Sequence, residues 1–145
     1  MILHLLFKGN TMKKLFTVGA SALLLLSSSL YSGEFADLHK TVMDARDSLV
    51  VMVKNTDKRG EAQQKLVKDT ANAVSAKIAT MKAPAGKEAQ FAEMSKNWAE
   101  FKKTREEELV PLVLAGKQEE GKKIAMGIQK ERLSKVVALC AELDK

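Results

Sequence analysis

The sequence has little cysteine and histidine, the residues on which most metal and redox sites depend. It contains one cysteine, Cys140, and two histidines among 145 residues. A single thiol excludes a disulfide within the chain, and we expect Cys140 to be buried at the edge of the core. After residue 33 the one histidine is His39, too few for the paired Glu-x-x-His motifs of a di-iron bundle or for a zinc ligand set. We therefore expect no metal site.

Cofactor and catalytic motifs are scarce as well. The chain lacks the Cys-x-x-Cys-His motif of covalent haem attachment, a glycine-rich phosphate loop and the residues for a Ser-His-acid set. Methionines such as Met43 lie beside apolar positions, where filling gaps in a core is their ordinary role. We expect neither a bound cofactor nor an enzymatic activity.

Proline and alternating apolar–polar runs are also rare, and helical spacing is present instead. Apolar residues recur at intervals of three and four in segments 34–55, 61–82, 87–115 and 118–143. Pro84 and Gly86 separate the second segment from the third, and Gly116 ends the third. Pro111 should kink the third helix or end it about one turn before Gly116. The apolar stripes are Phe35, Leu38, Val42, Ala45, Leu49 and Met52; Val67, Ala71, Val74, Ile78 and Met81; Phe91, Met94, Trp98, Phe101, Leu109 and Leu112; and Ile124, Ile128, Val136, Leu139 and Leu143.

The connections between these segments are only a few residues long, so each helix should run antiparallel to the one before it. The predicted fold is all-α, an antiparallel up-down-up-down four-helix bundle.

The front of the chain is typical of a secretory signal peptide. Lys13 and Lys14 precede an apolar run that gives way to small polar residues over 27–33. The run is shorter than the roughly twenty apolar residues of a spanning helix. We interpret residues 1–33 as an extension (residues 1–11) upstream of a natural translation start at Met12, followed by a signal peptide. Cleavage should leave a mature chain that starts between residues 30 and 34, and residues 34–145 form the exported bundle. A genuinely longer basic leader and an uncleaved anchor are the alternatives. We expect a periplasmic protein with no stable membrane span after cleavage.

The basic excess belongs partly to this leader. Three of the 24 lysines and arginines lie in residues 1–33, so 21 remain against 18 acidic residues and the net charge falls from +6 to +3. The remaining basic and acidic residues are interleaved along the chain, as in 102–108, which is typical of a solvated helix surface. Nucleic-acid binders instead concentrate basic residues on one face, so we expect no nucleic-acid partner.

Three arginines border the apolar stripes and form the candidate ligand site. Arg46 lies beside the first stripe, Arg105 continues the third, and Arg132 lies between Ile128 and Val136 on the fourth. Guanidinium groups bind carboxylates and phosphates through paired hydrogen bonds, and three helices could bring these three to one patch. The alternative is that each arginine extends to water or pairs with an acidic residue of the bundle.

In the third segment Trp98, Phe101 and Arg105 are followed by the hydrophobic helix end, glycine and acidic turn of residues 112–121. This pattern resembles the periplasmic four-helix-bundle sensor domains of bacterial chemoreceptors. The resemblance implies a sensor module that binds small molecules between helices near a dimer interface, with Arg46 as the residue carried over. We expect a free-standing form, because the second membrane span and signalling coiled coil of chemoreceptors are absent from this sequence.

In the first segment Ala36, Asp37 and Leu38 shortly precede Met43. This run resembles the small periplasmic cytochromes that hold a non-covalent haem in a four-helix bundle, but the histidine that those proteins have on helix 4 is absent.

Three function classes follow from the sequence. The preferred one is an exported, non-enzymatic sensor-like module for a small anion; the others are a cytochrome-like bundle and a structural or partner-binding protein. Bundle seams are readily shared between copies, so we also expect a homodimer.

Overall fold

The computed structural model describes residues 33–145, and within that range all regular structure is helical, with no strand. The helices form four segments. The predicted all-α class and the four-helix composition are confirmed. The elements are α1 (Glu34–Lys54), α2 (Glu61–Thr80), α3 (Glu88–Thr104), a π-helical turn (Arg105–Leu109), α4 (Val110–Leu114), α5 (Gln118–Met126) and α6 (Ile128–Leu143). The third segment is α3, the π-helical turn and α4; the fourth is α5 and α6. The predicted extension and signal peptide lie outside the described residues, apart from Gly33.

The third segment ends in a glycine-dependent cap, as its sequence predicts. Gly116 adopts φ +74°, a left-handed conformation that side chains disfavour. Its N–H donates to the carbonyl oxygen of Val113 at 3.2 Å, and the N–H of Lys117 donates to that of Leu112 at 2.9 Å. This pair of bonds is the Schellman motif, which satisfies carbonyls that a helix end would otherwise leave free.

Pro111 does not end the third segment one turn before Gly116, because α4 continues to Leu114. The irregularity lies just upstream, in the π-helical turn, where the N–H of Val110 donates to the carbonyl oxygen of Arg105 five residues earlier. Proline has no N–H and its ring crowds the carbonyl four residues before it. A wider turn directly before Pro111 lets the helix pass this position without ending.

The apolar stripes pack into two clusters. All six stripe residues of α1 are buried, as predicted, and so is Cys140. The spacing predicts a core position for Ile128, but this prediction is wrong, because the residue is 45% exposed. The large cluster comprises Phe35, Leu38, Val42, Ala45, Ala71, Val74, Met81, Met94, Trp98, Phe101, Val136, Leu139, Cys140 and Leu143. The small cluster comprises Leu49, Met52, Val67, Leu109 and Val113.

Between residues 33 and 145, no helix combines the length and hydropathy needed to cross a bilayer.

Gly127 interrupts the fourth segment, which the sequence predicts as one helix over 118–143. That prediction is wrong in this detail: α5 ends at Met126, and Gly127 has φ −93° and ψ −113°, outside the helical region. A Cβ atom on Gly127 would lie 2.9 Å from the carbonyl oxygen of Lys123. Only a residue without a side chain lets the backbone approach itself this closely.

Replacing either of two glycines in the fourth segment with alanine should change the free energy of unfolding, in opposite directions for the two positions. Gly121 lies inside α5, where a Cβ atom would meet the Leu109 side chain at 3.4 Å, an ordinary contact. Gly121→Ala should raise the free energy of unfolding by about 1 kcal/mol, because alanine favours the helix. Gly127→Ala should lower it by about 0.5 to 3 kcal/mol, because the backbone must shift. Urea denaturation measures both, and a shift of the same sign for the two variants would contradict this account of the break.

Candidate functional site

A cavity of about 690 Å³ lies between α1 and the fourth segment. Its walls come from one face of α1, from Phe101 and Leu109 of the third segment, and from residues on both sides of the Gly127 break. The volume is within the range of roughly 300–1,000 Å³ that is usual for small-molecule sites. It adjoins the small cluster, to which Leu49 and Leu109 belong. The candidate site therefore occupies the part of the bundle where the core is smallest.

The interior of this cavity is apolar and its exposed edge is cationic. Leu49, Phe101 and Leu109 are buried and line the inside. The charged lining residues are all exposed. They are the cations Arg46, Lys54, Lys122 and Lys130 and the single acid Glu119. Four positive charges against one negative charge make the mouth attractive to anions.

Arg46 is the predicted site residue that lines this cavity. Its side chain is 45% exposed, and its Nη1 atom lies 2.6 Å from Oδ1 of the neighbouring Asp47. An ion pair between two exposed side chains contributes little free energy, because water screens both charges. An incoming anion can therefore replace Asp47 at the guanidinium at low cost.

Arg105 has a different environment, since its side chain is fully buried. Its Nη1 donates to the carbonyl oxygen of Ala45 at 2.6 Å, and its Nη2 donates to that of Val67 at 2.6 Å and to Oγ of Ser48 at 3.2 Å. Within the described residues its Nε has no hydrogen-bond partner. Arg105 thus joins the third segment to α1 and α2.

Burial lowers the pKa of Arg105 to about 10, and the nearby carboxylate of Glu106 opposes this shift. The guanidinium is therefore still charged at neutral pH. Because its pKa in the folded protein lies below that in the unfolded chain, burial of the charged form reduces stability at neutral pH, and stability recovers only as the pH rises above about 10. The hydrogen bonds to two helices offset this cost.

Arg132 is held by the third segment. Its Nη1 donates to Oγ1 of Thr104 at 2.8 Å, and its Nε lies 3.6 Å from a carboxylate oxygen of Glu100. It does not line the cavity, and neither does Arg105. Of the three arginines expected at one patch, the structure thus brings only Arg46 to the cavity and bonds the other two within the protein.

The lysines of the mouth and the amides of the wall are not among the site residues predicted from the sequence. A helical wheel would have found the lysines and Gln118. On α1, Arg46, Val50 and Lys54 follow one another at intervals of four, on a face adjacent to the core stripe. The same spacing on the fourth segment places Gln118, Lys122, Met126 and Lys130 on the cavity.

Arg59 is also absent from the predicted site residues, because it lies between the first two predicted helical segments. Its guanidinium donates to the carbonyl oxygens of Met52 at 3.1 Å and Val113 at 2.9 Å and to Oε1 of Gln118 at 2.6 Å. Gln118 in turn donates through Nε2 to the carbonyl oxygen of Val53 at 2.7 Å. These bonds fix the start of α5 against the end of α1, beside the cavity.

Soft donors in the bundle are part of the core. Cys140 is buried with its Sγ 3.5 Å from Sδ of Met94. Burial raises the pKa of this thiol to about 11, and Asp144 adds to the shift, so Cys140 stays protonated at neutral pH. Among residues 33–145 no three His, Cys, Asp or Glu side chains are grouped as metal ligands.

No family model, curated protein or solved structure matches this chain. The resemblances to chemoreceptor sensor domains and to haem-binding bundles therefore stay predictions. What the chain does must be inferred from its own residues, above all from the cavity and its cationic mouth.

Substitutions at Arg105 should separate its charge from its hydrogen bonds. Arg105→Lys should lower the free energy of unfolding by about 1–3 kcal/mol, because lysine keeps the buried charge but cannot reach acceptors on two helices together. Arg105→Met should reduce it less, because the buried charge is removed. Urea denaturation measures both, with exposed Lys103→Met as a control that should change stability by no more than about 0.5 kcal/mol. A larger loss for methionine than for lysine would contradict this.

Proposed function

We propose that this chain is an exported, non-enzymatic four-helix bundle that acts as a sensor-like module and binds a small organic anion. The observation that carries the proposal is the cavity of about 690 Å³ beside α1, with Arg46 and three lysines around its opening. A guanidinium and ammonium groups at the mouth of an apolar cavity attract an anion from solution and hold it through charge-assisted hydrogen bonds.

The bundle itself is proposed to be antiparallel, with up-down-up-down topology. Two contacts support this for the first helix pair: Ser48 Oγ lies 2.9 Å from Thr70 Oγ1, and Lys77 Nζ lies 3.4 Å from Thr41 Oγ1. As the position on α1 moves back, its partner on α2 moves forward, which is the pattern of antiparallel neighbours. Gly33, before α1, lies against the side chain of Asp144, after α6, so the first and fourth segments meet at one end.

The side chains around the cavity support binding rather than catalysis. The polar lining groups are four cations, two amides and one carboxylate, Glu119. None of the lining residues is a serine, cysteine or histidine, so the cavity wall presents no nucleophile paired with a base.

Partner binding is the second candidate function. Met126 is 63% exposed and Ile128 is 45% exposed, and the two flank the break at Gly127. Two large apolar side chains exposed this close together along the chain offer a partner an apolar contact. A homodimer whose contact centres on Ile128, which does not line the cavity, is compatible with the sensor-like role.

Arg46→Ala should weaken anion binding at least tenfold, because the variant loses a charge-assisted contact with the ligand. Isothermal titration of the purified protein with phosphate, succinate, citrate and octanoate tests this. Exposed Lys40→Ala on the same helix is the matched control, since Lys40 does not line the cavity, and it should leave affinity unchanged. If no anion binds the unmodified protein, or if Arg46→Ala binds equally well, the anion-binding proposal fails.

If the chain is exported, removal of the signal peptide should leave a shortened protein. When the full chain is produced in bacteria, the protein recovered from the periplasmic fraction should have the intact mass of a polypeptide that begins between residues 30 and 34. Leu24→Arg, which puts a charge into the apolar run, should keep the precursor in the cell at full length. An uncleaved chain in the membrane fraction would favour the signal-anchor alternative.

A further inference from the structure

We propose that the ligand of this cavity is an amphiphilic anion, a carboxylate, sulfonate or phosphate head attached to an apolar body such as an alkyl chain. This inference rests on the proposed anion-binding function and specifies the chemistry of its ligand.

The interior offers a ligand apolar contacts. Leu49, Phe101 and Leu109 are 6%, 5% and 2% exposed, and half-buried Leu133 lines the wall opposite α1. An apolar body placed against these side chains is removed from water, with a favourable free energy that grows with its area. A small hydrophilic anion would leave this surface unused.

The two amides on the wall are already engaged by the protein. Gln129 donates through Nε2 to the carbonyl oxygen of Phe101 at 2.9 Å, and Gln118 donates to Val53 while accepting from Arg59. A ligand rich in hydroxyl or amide groups would therefore bury them without partners, which is costly. The interior selects against sugars, amino acids and polycarboxylates.

The mouth selects the sign of the head group. Arg46 and Lys54 stand on α1, and Lys122 and Lys130 stand on the opposite side, so cations flank the opening from both sides. Glu119 is the one acid among the lining residues. An anionic head can stay at the solvated mouth, between these cations, while its apolar body enters the cavity. A cationic head of the same size would meet net repulsion.

Charge also favours a small amphiphile over a second copy of the chain as the occupant. In a two-fold symmetric dimer the same patch of each subunit faces itself. Two copies meeting at this mouth would bring the lysines and Arg46 of one against those of the other. Such like-charge contacts oppose association, whereas an anionic head relieves the repulsion.

The affinity for carboxylates should depend on the length of their alkyl chain. Straight-chain carboxylates from butanoate to decanoate, titrated at low salt and below their critical micelle concentrations, should bind roughly threefold to fourfold more tightly for each added methylene until the cavity is full. Decyltrimethylammonium and decanol should bind at least tenfold more weakly than decanoate. Added salt should weaken decanoate binding, because the head-group contacts are exposed.

Two neighbouring variants supply a matched pair. Val50 lines the cavity, whereas the next residue, Val51, is exposed and does not. Val50→Asp should weaken decanoate binding at least tenfold by placing a negative charge inside the site. Val51→Asp adds the same charge one position along the helix and should change the affinity less than twofold. Equal effects of the two variants would overturn the placement of the ligand in this cavity.

The outcomes separate this inference from the proposed function. If succinate or citrate binds in an Arg46-dependent way and the alkyl chain length of the carboxylates does not change their affinity, anion binding is supported and the proposal of an amphiphilic ligand is wrong. If decyltrimethylammonium binds as tightly as decanoate, the choice of an anionic head is wrong. If no anion binds and native mass spectrometry shows a dimer that Val50→Asp dissociates, a second copy occupies the groove and both proposals fail.

Discussion

The buried guanidinium of Arg105 is the interaction on which the arrangement of this bundle depends. A charged group with no exposure to water is costly unless its donors are used, and here Nη1 and Nη2 reach carbonyl oxygens of α1 and α2 and the hydroxyl of Ser48. These acceptors fix how the third segment sits against the first two. Ala45 and Ser48 also stand where the large cluster ends and the small one begins, so the arginine forms a polar layer between two apolar regions.

The cavity follows from how the bundle continues beyond this layer. Only five buried apolar residues form the small cluster, and the fourth segment is broken at Gly127 alongside it. The core there is incomplete, and the space between α1 and the fourth segment stays open. Arg59 and Gln118 close the end of the bundle next to this space through their bonds to Val53 and Val113. Hydrogen bonds at a helix end thus maintain the site where apolar packing is thin.

Much of the fold could be predicted from apolar spacing, because helix periodicity is a local property. The α1 stripe is the clearest case, as all six of its residues are buried. The break at Gly127 was missed because glycine within a long periodic run still fits a helix, and its role depends on the close approach to Lys123. The shared site of three arginines did not form either. Spacing places an arginine on a face, but only the distance to acceptors on other helices decides whether it points inward.

The three arginines show why residue type alone does not identify a binding site. Arg105 and Arg132 carry the same guanidinium as Arg46, but their donors already bind backbone carbonyls, a threonine hydroxyl and the carboxylate of Glu100. A ligand would have to replace these bonds and reorganise the bundle. Arg46 faces only an exposed neighbour, Asp47, whose attraction water weakens. An anion that also brings an apolar body into the cavity adds a contribution that Asp47 cannot match, so it can displace this carboxylate while leaving the helices in place.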